Sequence, residues 1–470
     1  MEELTAALLA RAPETDMEPT LARVERVLDM LGSPQQTFRS VHITGTNGKT
    51  STARMAETML RAGGLRTGLY TSPHLHSIGE RICIDGEPLL DERMLELFAE
   101  IEPYVQLADE EAAVGGQPPL TFFEVLTILA FAAFADAPVE VAVVEVGLGG
   151  VWDATNVMDA DVAVVTPISE DHTAWLGTDV AQIAAEKSGI IKQDCTAVLA
   201  AQVQEAADVL LARCAQVHAR VMAQGRDFDL NSRTPGVGGQ LVSVRLGDVV
   251  LPEVFVPLLG VHQAQNALLA TAAVAALLTE DLDLADDVVS GLESVVVPAR
   301  LEQLGRSPTV LVDAAHNPAG ARVLAAALRE DYSFDSTIGV VAIMADKDLP
   351  GILEALAPVL DRVILTRNSS ERSASLAALR EAAAGLWDPE SLLEADSVAE
   401  ALEEAVVLSG SGRGGVVVTG SVVTAADARK ATGHQDFGTI PSIATVGLED
   451  PDDADESEGQ QLLEEPEEDL

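Results

Sequence analysis

An α/β protein of two domains, each built on a mainly parallel sheet, is predicted by three observations. Short strands rich in β-branched residues alternate with helical stretches over most of the chain. The 470 residues exceed the roughly 250–300 that one core usually supports. The alternation restarts after an irregular run at residues 294–298, which marks a domain connection.

Apolar residues recur at helical spacing over 21–31, and Gly32-Ser33-Pro34 stops that helix. Residues 41–44 read as a strand, Gly45-Thr46-Asn47-Gly48 as a glycine turn, and 49–60 as a helix. A short strand is expected over 67–70. The runs 139–146 and 161–166 look like buried parallel strands, the first ending in Gly147-Leu148-Gly149-Gly150 and the second stopped by Pro167. Helices are expected over 94–102, 122–134 and 180–190. In the second domain strands are expected over 309–312, 339–343, 362–366 and 415–419, with alanine-rich helices between them. The expected boundaries are 1–295, 299–440 and a tail over 448–470. That tail holds twelve acidic residues and no basic one, the composition of a solvated disordered segment.

The formal charge of −46, or −34 without the tail, argues against nucleic acid and anionic membranes as partners. Only five of the 29 basic residues are lysine: Lys49, Lys187, Lys192, Lys347 and Lys430. Each lysine retained therefore invites a question about its purpose. Cys83, Cys195 and Cys214 stand far apart, with no zinc or disulfide pattern, which fits a reducing cytoplasm. The start Met1-Glu2-Glu3-Leu4 lacks the basic region of a signal peptide, and apolar runs such as 125–135 are too short to cross a bilayer.

The strongest local signal is Gly45-Thr46-Asn47-Gly48-Lys49-Thr50-Ser51 between a strand and a helix. Glycines let backbone amides curl around phosphate oxygens, the helix N-terminus adds positive potential, lysine reaches the β and γ phosphates, and a hydroxyl can sit near Mg²⁺. The spacing is shorter than a full P-loop, and the alternative is a glycine turn with an exposed lysine. Glu145 and His172 follow successive strands, where α/β proteins place functional groups, and together they offer a Mg²⁺ environment. Their bland alternatives are a solvated acid and a structural histidine. Lys187 ends a helix, where a cation is favourable in any case. A buried ε-amine with a lowered pKa could instead be modified to a metal-binding anion, which arginine cannot do. Ser72 adds a hydroxyl, Arg81 a fork for a carboxylate, and Phe122 and Phe123 faces for a flat heterocycle or merely a buried helix start. Asp313-Ala314-Ala315-His316-Asn317-Pro318, Asp346-Lys347-Asp348 and Thr419-Gly420-Ser421 each end a strand, so one edge of the second sheet gathers three polar clusters facing the phosphate site.

These segments resemble the folylpolyglutamate synthase and dihydrofolate synthase family of the Mur ligase superfamily. The resemblance runs through GTNGKTS (45–51), TSPHL (71–75), ERI (80–82), TFFE (121–124), VEVGLGGVWDATN (144–156), DH (171–172), EKSGIIK (186–192), HQAQN (262–266), PARLE (298–302), DAAHNP (313–318) and TGS (419–421). It spans residues 17–435. It implies a P-loop NTPase-like parallel-sheet domain followed by a smaller Rossmann-like α/β domain. The implied activity is ATP-driven ligation of L-glutamate to dihydropteroate and to reduced folates through an acyl phosphate. Under the resemblance Gly45, Thr46, Asn47, Gly48, Lys49, Thr50 and Ser51 bind ATP, as do Asn266, Arg300 and Asp313. Ser72 and Glu145 hold one Mg²⁺, with His172 and a carbamylated Lys187 around a second. Arg81, Phe122, Phe123, Trp152, Asp153 and Ala154 line the pterin pocket, while His316 and Ser421 lie near the incoming glutamate. Lys49, Lys187, His172 and His316 are its catalytic set, and the implied enzyme is a cytoplasmic monomer. Two departures are Thr50, where many relatives carry glycine, and DAAHNP in place of DGAHNP; neither removes a functional group.

Competing readings are a peptidoglycan Mur ligase, opposed by TSPHL and TFFE, and a nucleotide-gated switch, which leaves the polar strand ends of the second domain unexplained. Truncation after Val446 is expected to leave turnover and Michaelis constants unchanged, because the tail is composed to stay solvated; steady-state kinetics of the shortened chain checks this.

Overall fold

The computed structural model describes Thr5, Leu8, Ala10, Arg11 and residues 20–434, apart from 172, 279–283 and 411–412. His172 and the expected acidic tail lie outside the described residues.

Three sheets organise the chain. The first holds β1 (Arg39–Thr44), β2 (Thr67–Tyr70), β3 (Ile82–Ile84), β4 (Glu87–Pro88), β5 (Val141–Glu145), β6 (Val162–Val165), β7 (Thr196–Leu199) and β8 (Arg220–Ala223), in the order β4-β3-β2-β5-β1-β6-β7-β8. The strands from β2 across to β8 run parallel, and the antiparallel pairings of β3 with β2 and with β4 close one edge. Period-two alternation decides which face each side chain joins. Val41, Ile43 and Val143 pack against the helices Lys49–Ala62 and Val261–Leu278, while Ala142 and Val144 pack on the other face with Phe131 and Phe134 of Phe122–Asp136. Buried on both faces, these strands read as continuous apolar runs, which is why the sequence exposes them so clearly.

The helix Val261–Leu278 corrects the reading that the longest apolar runs are too short to span a bilayer. It has 18 residues and a mean hydropathy of 1.2, yet 67% of it is buried inside the protein. Its composition is that of a core helix wedged between the first sheet and a second.

The second sheet was not anticipated. It is antiparallel, with β9 (Phe228–Gly236), β10 (Gly239–Leu246), β11 (Val249–Val250) and β12 (Val254–Val256); β10 is flanked by β11 and β12 and pairs along its length with β9. Phe228, Val242, Val244, Val254 and Val256 join the same core as the helix Val261–Leu278. The other face stays polar or exposed, so β9 and β10 lack the continuous apolar run by which the first sheet was recognised.

The third sheet holds β13 (Glu302–Arg306), β14 (Thr309–Val312), β15 (Ser336–Val341), β16 (Arg362–Leu365), β17 (Leu392–Glu394) and β18 (Gly414–Thr419), in the order β13-β14-β18-β15-β16-β17. Only β13 is antiparallel to its neighbour. The strands expected over 309–312, 339–343, 362–366 and 415–419 are all present, shifted at their ends by three residues or fewer. The helix expected over 94–102 lies in the first half of a longer one, Asp91–Val114, which passes through Pro103. Two apolar residues of the first unit pack against cores of the second: Leu75, in the loop after β2, against the cluster that holds Val312 and Val418, and Leu259, after β12, against the cluster that holds Leu311 and Val341.

One histidine is buried in this framework and two are partly buried. Burial, helped by Lys192, pulls His42 down to about 3; His42 Nε2 meets Thr155 Oγ1 at 2.8 Å while Nδ1 has no partner. Burial likewise holds His74 and His262 near 4. Their native pKa lies below the unfolded value of about 6.5, so above pH 6.5 they add no pH dependence. Below it the unfolded chain takes up protons that the native chain refuses, and stability falls as pH drops. His42 alone is expected to contribute on the order of 1 kcal/mol per pH unit between pH 6.5 and about 3. Chemical unfolding of His42→Gln against pH checks this, and the variant should show the shallower decline.

Candidate active site

The phosphate-type loop is shaped by contacts that demand glycine. At Gly45 a Cβ would fall 1.8 Å from Thr166 Oγ1, and at Gly48, where φ is +91°, it would fall 2.5 Å from Asn266 Oδ1. The loop is strapped to the neighbouring strand ends. Thr166 Oγ1 donates to Asn47 O at 2.8 Å, Thr44 Oγ1 to Gly149 O at 2.8 Å, and Thr46 Oγ1 to Ser169 O at 2.9 Å. The amides that open the helix Lys49–Ala62 therefore face the cleft from a fixed frame, as an anion site requires.

Two lysines reach one carbonyl of that loop. Lys49 Nζ donates to Gly45 O at 3.1 Å and to Thr46 O at 3.2 Å, while Lys187 Nζ donates to Gly45 O at 2.9 Å. Burial, and secondarily Lys49, brings the Lys187 amine down to about 7. Pairing of Ile43 with Glu145 across β1 and β5 sets the Glu145 carboxylate beside the loop. Its Oε1 accepts from Thr50 Oγ1 at 3.0 Å and its Oε2 from the Ser72 amide at 3.3 Å. Burial raises its pKa, against the pull of Lys49 and these hydrogen bonds.

The facing wall comes from the C-terminal ends of β14, β15 and β18, adjacent strands of the third sheet. Asp313 accepts from the amides of Leu301 and Ala315, both at 2.8 Å, and burial raises its pKa. Ser421 caps the helix Val422–Ala431 and accepts from Asn368 Nδ2 at 3.0 Å. Arg300, Asp313, His316, Lys347 and Ser421 line one cleft of about 590 Å³ together with Gly45–Ser51, Ser72, Glu145, Lys187 and Asn266. Three of the five lysines thus line one cleft. Of the other two, Lys192 ties down the backbone carbonyls of Asn156 and Met158, and Lys430 sits in the last turn of Val422–Ala431.

The expected pterin residues do not line this cleft. Arg81 is buried, donates to His74 Nδ1 at 2.9 Å and lies 5.1 Å over the Phe122 ring. Phe123 packs 5.8 Å from Tyr70 and closes on Gly147. Asp153 is buried and accepts from the amides of Leu148 and Thr155, with Ala154 buried beside it. Trp152 is half-buried against the cluster of Ile183 and Ile190. These residues shape the loops behind the cleft; Arg81 is not among the cations that line it, which are Lys49, Lys187, Arg300, Lys347 and Arg372.

Asp171 was the residue sequence reasoning passed over, although it was quoted beside His172. Its side chain is almost buried and meets three residues of the facing wall. Only convergence in space reveals this. Among the described residues no group of three or more His, Cys, Asp or Glu side chains is arranged to hold a metal.

Residues 43–274 match the Mur ligase middle domain, and residues 299–422 match the Mur ligase glutamate ligase domain. A dihydrofolate synthase/folylpolyglutamate synthase of Mycobacterium tuberculosis is 45% identical over 449 residues, covering 90% of this chain and 92% of that one. The chain belongs to the dihydrofolate synthase/folylpolyglutamate synthase family of Mur ligases. A protein of the same description from Escherichia coli is 32% identical over 420 residues, covering 88% of this chain and 92% of its own length. The structure of Mycobacterium tuberculosis folylpolyglutamate synthase complexed with ADP matches with a TM-score of 0.88 at 45% identity, over 92% of this chain and 98% of that one. The two Mur ligase domains divide where the second and third sheets do.

Gly45→Ala is expected to destabilise the protein by about 1–3 kcal/mol, since the new methyl cannot share space with Thr166. Urea unfolding measures the loss, and calorimetric titration with ADP should show weakened nucleotide binding in the same variant.

Proposed function

We propose that this protein is an ATP-dependent ligase that joins L-glutamate to dihydropteroate and to the terminal glutamate of reduced folates. The observation that carries the reading is a single cleft with a strapped phosphate loop on one wall and three polar strand ends on the other. Family membership supports it, as does the ADP bound by the Mycobacterium tuberculosis relative.

A carboxylate is a poor electrophile, so the reaction first needs a leaving group. The bond between the γ-phosphorus and the β,γ-bridging oxygen of ATP breaks, a carboxylate oxygen of the folate takes the phosphoryl group, and ADP departs. The glutamate amine then attacks the acyl carbon, the C–O bond to phosphate breaks, and the amine gives up its proton. The chain supplies positioning and charge for both steps. Gly45 to Ser51 cradle the phosphates and Lys49 faces the transferring group. Asn266, Arg300 and Asp313 hold the nucleotide from the connection and the second domain. His316 and Ser421 stand where the amino acid enters. Arg81, Phe122, Phe123, Trp152, Asp153 and Ala154 shape the loops that bound the pterin.

The donor set fits Mg²⁺. Glu145 is a buried carboxylate raised in pKa by desolvation, with Thr50 Oγ1 at 3.0 Å and Ser72 beside it, and a hard cation that keeps its own waters needs few protein ligands. Bound there, Mg²⁺ would offset charge on the phosphoryl oxygens. His172 and Lys187 belong to the same proposal as holders of a second ion. The Lys187 amine, near 7, can react as the free base with CO₂, forming an N–C bond and releasing a proton to give an anionic carbamate.

Residues 1–295 would form the ATP and folate unit and 299–440 the glutamate unit. We place the enzyme in the cytoplasm, since Cys83, Cys195 and Cys214 are buried and form no disulfide with one another, and the charge of −46 discourages nucleic acid and anionic membranes as partners; a monomer is what the family resemblance implies.

Incubation with ATP, Mg²⁺, L-glutamate and either dihydropteroate or tetrahydrofolate should release phosphate with both pterins. No release with either would refute the reading. Lys187→Arg keeps the positive charge but is expected to lose at least about 100-fold in turnover. Carbon-13 NMR with labelled bicarbonate should show a carbamate signal in the parent protein and none in the variant.

A further inference from the structure

The carboxylate of Asp171 is the point at which the two walls of the cleft are tied together. It follows β6 in the first unit, and its side chain is 8% exposed. Oδ2 accepts from Asn317 Nδ2 at 2.8 Å, Oδ1 accepts from Lys347 Nζ at 3.2 Å, and His316 Nε2 lies 3.6 Å from Oδ2. These three come from the second unit and from two different strand ends, those of β14 and β15, while Lys187 of the first unit also feels the Asp171 charge. Asn317 also donates to Asn47 Oδ1 at 3.3 Å, so the same knot includes the phosphate loop.

Asn317 caps the helix Pro318–Asp331, and the far end of that helix is anchored separately. Asp331 is fully buried, pairs with Arg233 of β9 and accepts from the Gly260 amide at 2.7 Å. Fourteen residues place the two anchors about 20 Å apart. Ala321, Leu324 and Leu328 pack the helix into the core of the second unit, so a unit held to the first only at the Asp331 end could tilt as a body, carrying His316 and Asn317 through an arc. The Asp171 contacts oppose that tilt. Misplacement of reacting groups by about 1 Å can cost roughly 100-fold in rate, so the restraint matters at the distances involved.

We propose that Asp171 is a positioning residue for the amine-attack half of the reaction: it holds His316, Asn317 and Lys347, and with them the wall that receives the amino acid, in register with the phosphate loop. This rests on the ligase reading. The contacts that shape the phosphate loop run through Thr44, Thr46, Thr166 and Asn266, and only the side chain of Asn47 touches the Asp171 knot. Loss of the carboxylate should therefore spare nucleotide binding and phosphoryl transfer while impairing attack by glutamate.

Asp171→Asn keeps the shape and removes the charge; Lys347→Gln removes the opposite charge and serves as the independent variant. ADP affinity by calorimetric titration should stay within about threefold of the parent in Asp171→Asn; Lys347→Gln, which also removes a cation from the cleft, is read by scattering and by glutamate-dependent phosphate release only. Positional isotope exchange in ATP labelled with oxygen-18 at the β,γ bridge, run with folate but no glutamate, reports reversible acyl phosphate formation and should also persist. Glutamate-dependent phosphate release should fall at least tenfold. Small-angle X-ray scattering with ADP should give a larger radius of gyration for each variant than for the parent. Unchanged turnover, or exchange and turnover falling in equal proportion, overturns the proposal. If the parent itself releases no phosphate with glutamate, the ligase reading fails, and scattering alone then decides whether Asp171 ties the walls: unchanged dimensions in both variants refute it.

Discussion

Two ammonium groups share one backbone carbonyl, that of Gly45, and the rest of the site follows from that crowding. Lys49 and Lys187 both lie within 3.1 Å of the Gly45 oxygen, so their nitrogens are no more than about 6 Å apart. At an effective dielectric of 20, two unit charges at that distance repel by roughly 3 kcal/mol. The arrangement is tolerable if an anion settles nearby or if one amine gives up its charge. Burial favours the second outcome at Lys187, and the amide-lined loop favours the first. Both lysines are placed by the order of the first sheet: β1 delivers the loop, β5 and β6 flank it, and the helix Val180–Lys187 brings the second amine from behind.

An acidic chain that handles anions must concentrate its cations, and the cleft shows how. Lys49, Lys187, Arg300, Lys347 and Arg372 converge on one volume, while the surface carries the excess of carboxylates. Within the cleft the acids are few and held. Glu145 answers to Thr50 and Ser72, Asp313 to two backbone amides, and Asp171 to the second unit. Arginine suffices for salt bridges elsewhere, which is why the scarce lysines marked the functional region.

Much of this was legible in the sequence where one residue carries one constraint. The strands β1, β5 and β6 announced themselves because both their faces are buried, and Gly45 and Gly48 because no side chain fits there. Glu145, Lys187 and His316 stand at strand or helix ends that meet in the cleft. The antiparallel sheet was missed because only one of its faces joins the core, leaving no continuous apolar run to see. Arg81, Phe122 and Asp153 were identified by type, but not by their surroundings: they satisfy one another or nearby amides behind the cleft, a relation fixed by tertiary packing alone. Asp171 was invisible for the same reason, since its partners stand 146 and 176 residues away.

Leu75 has an implication for how the molecule is inherited as a whole. It belongs by chain order to the first unit, yet it completes an apolar core of the second. A C-terminal unit severed from its companion would expose the part of its apolar cluster that Leu75 covers. The loop bearing Ser72 is thus part of both bodies at once. Recombination that exchanges one half for that of a relative has to carry a matching residue at this junction, or the new pairing begins with apolar surface left uncovered.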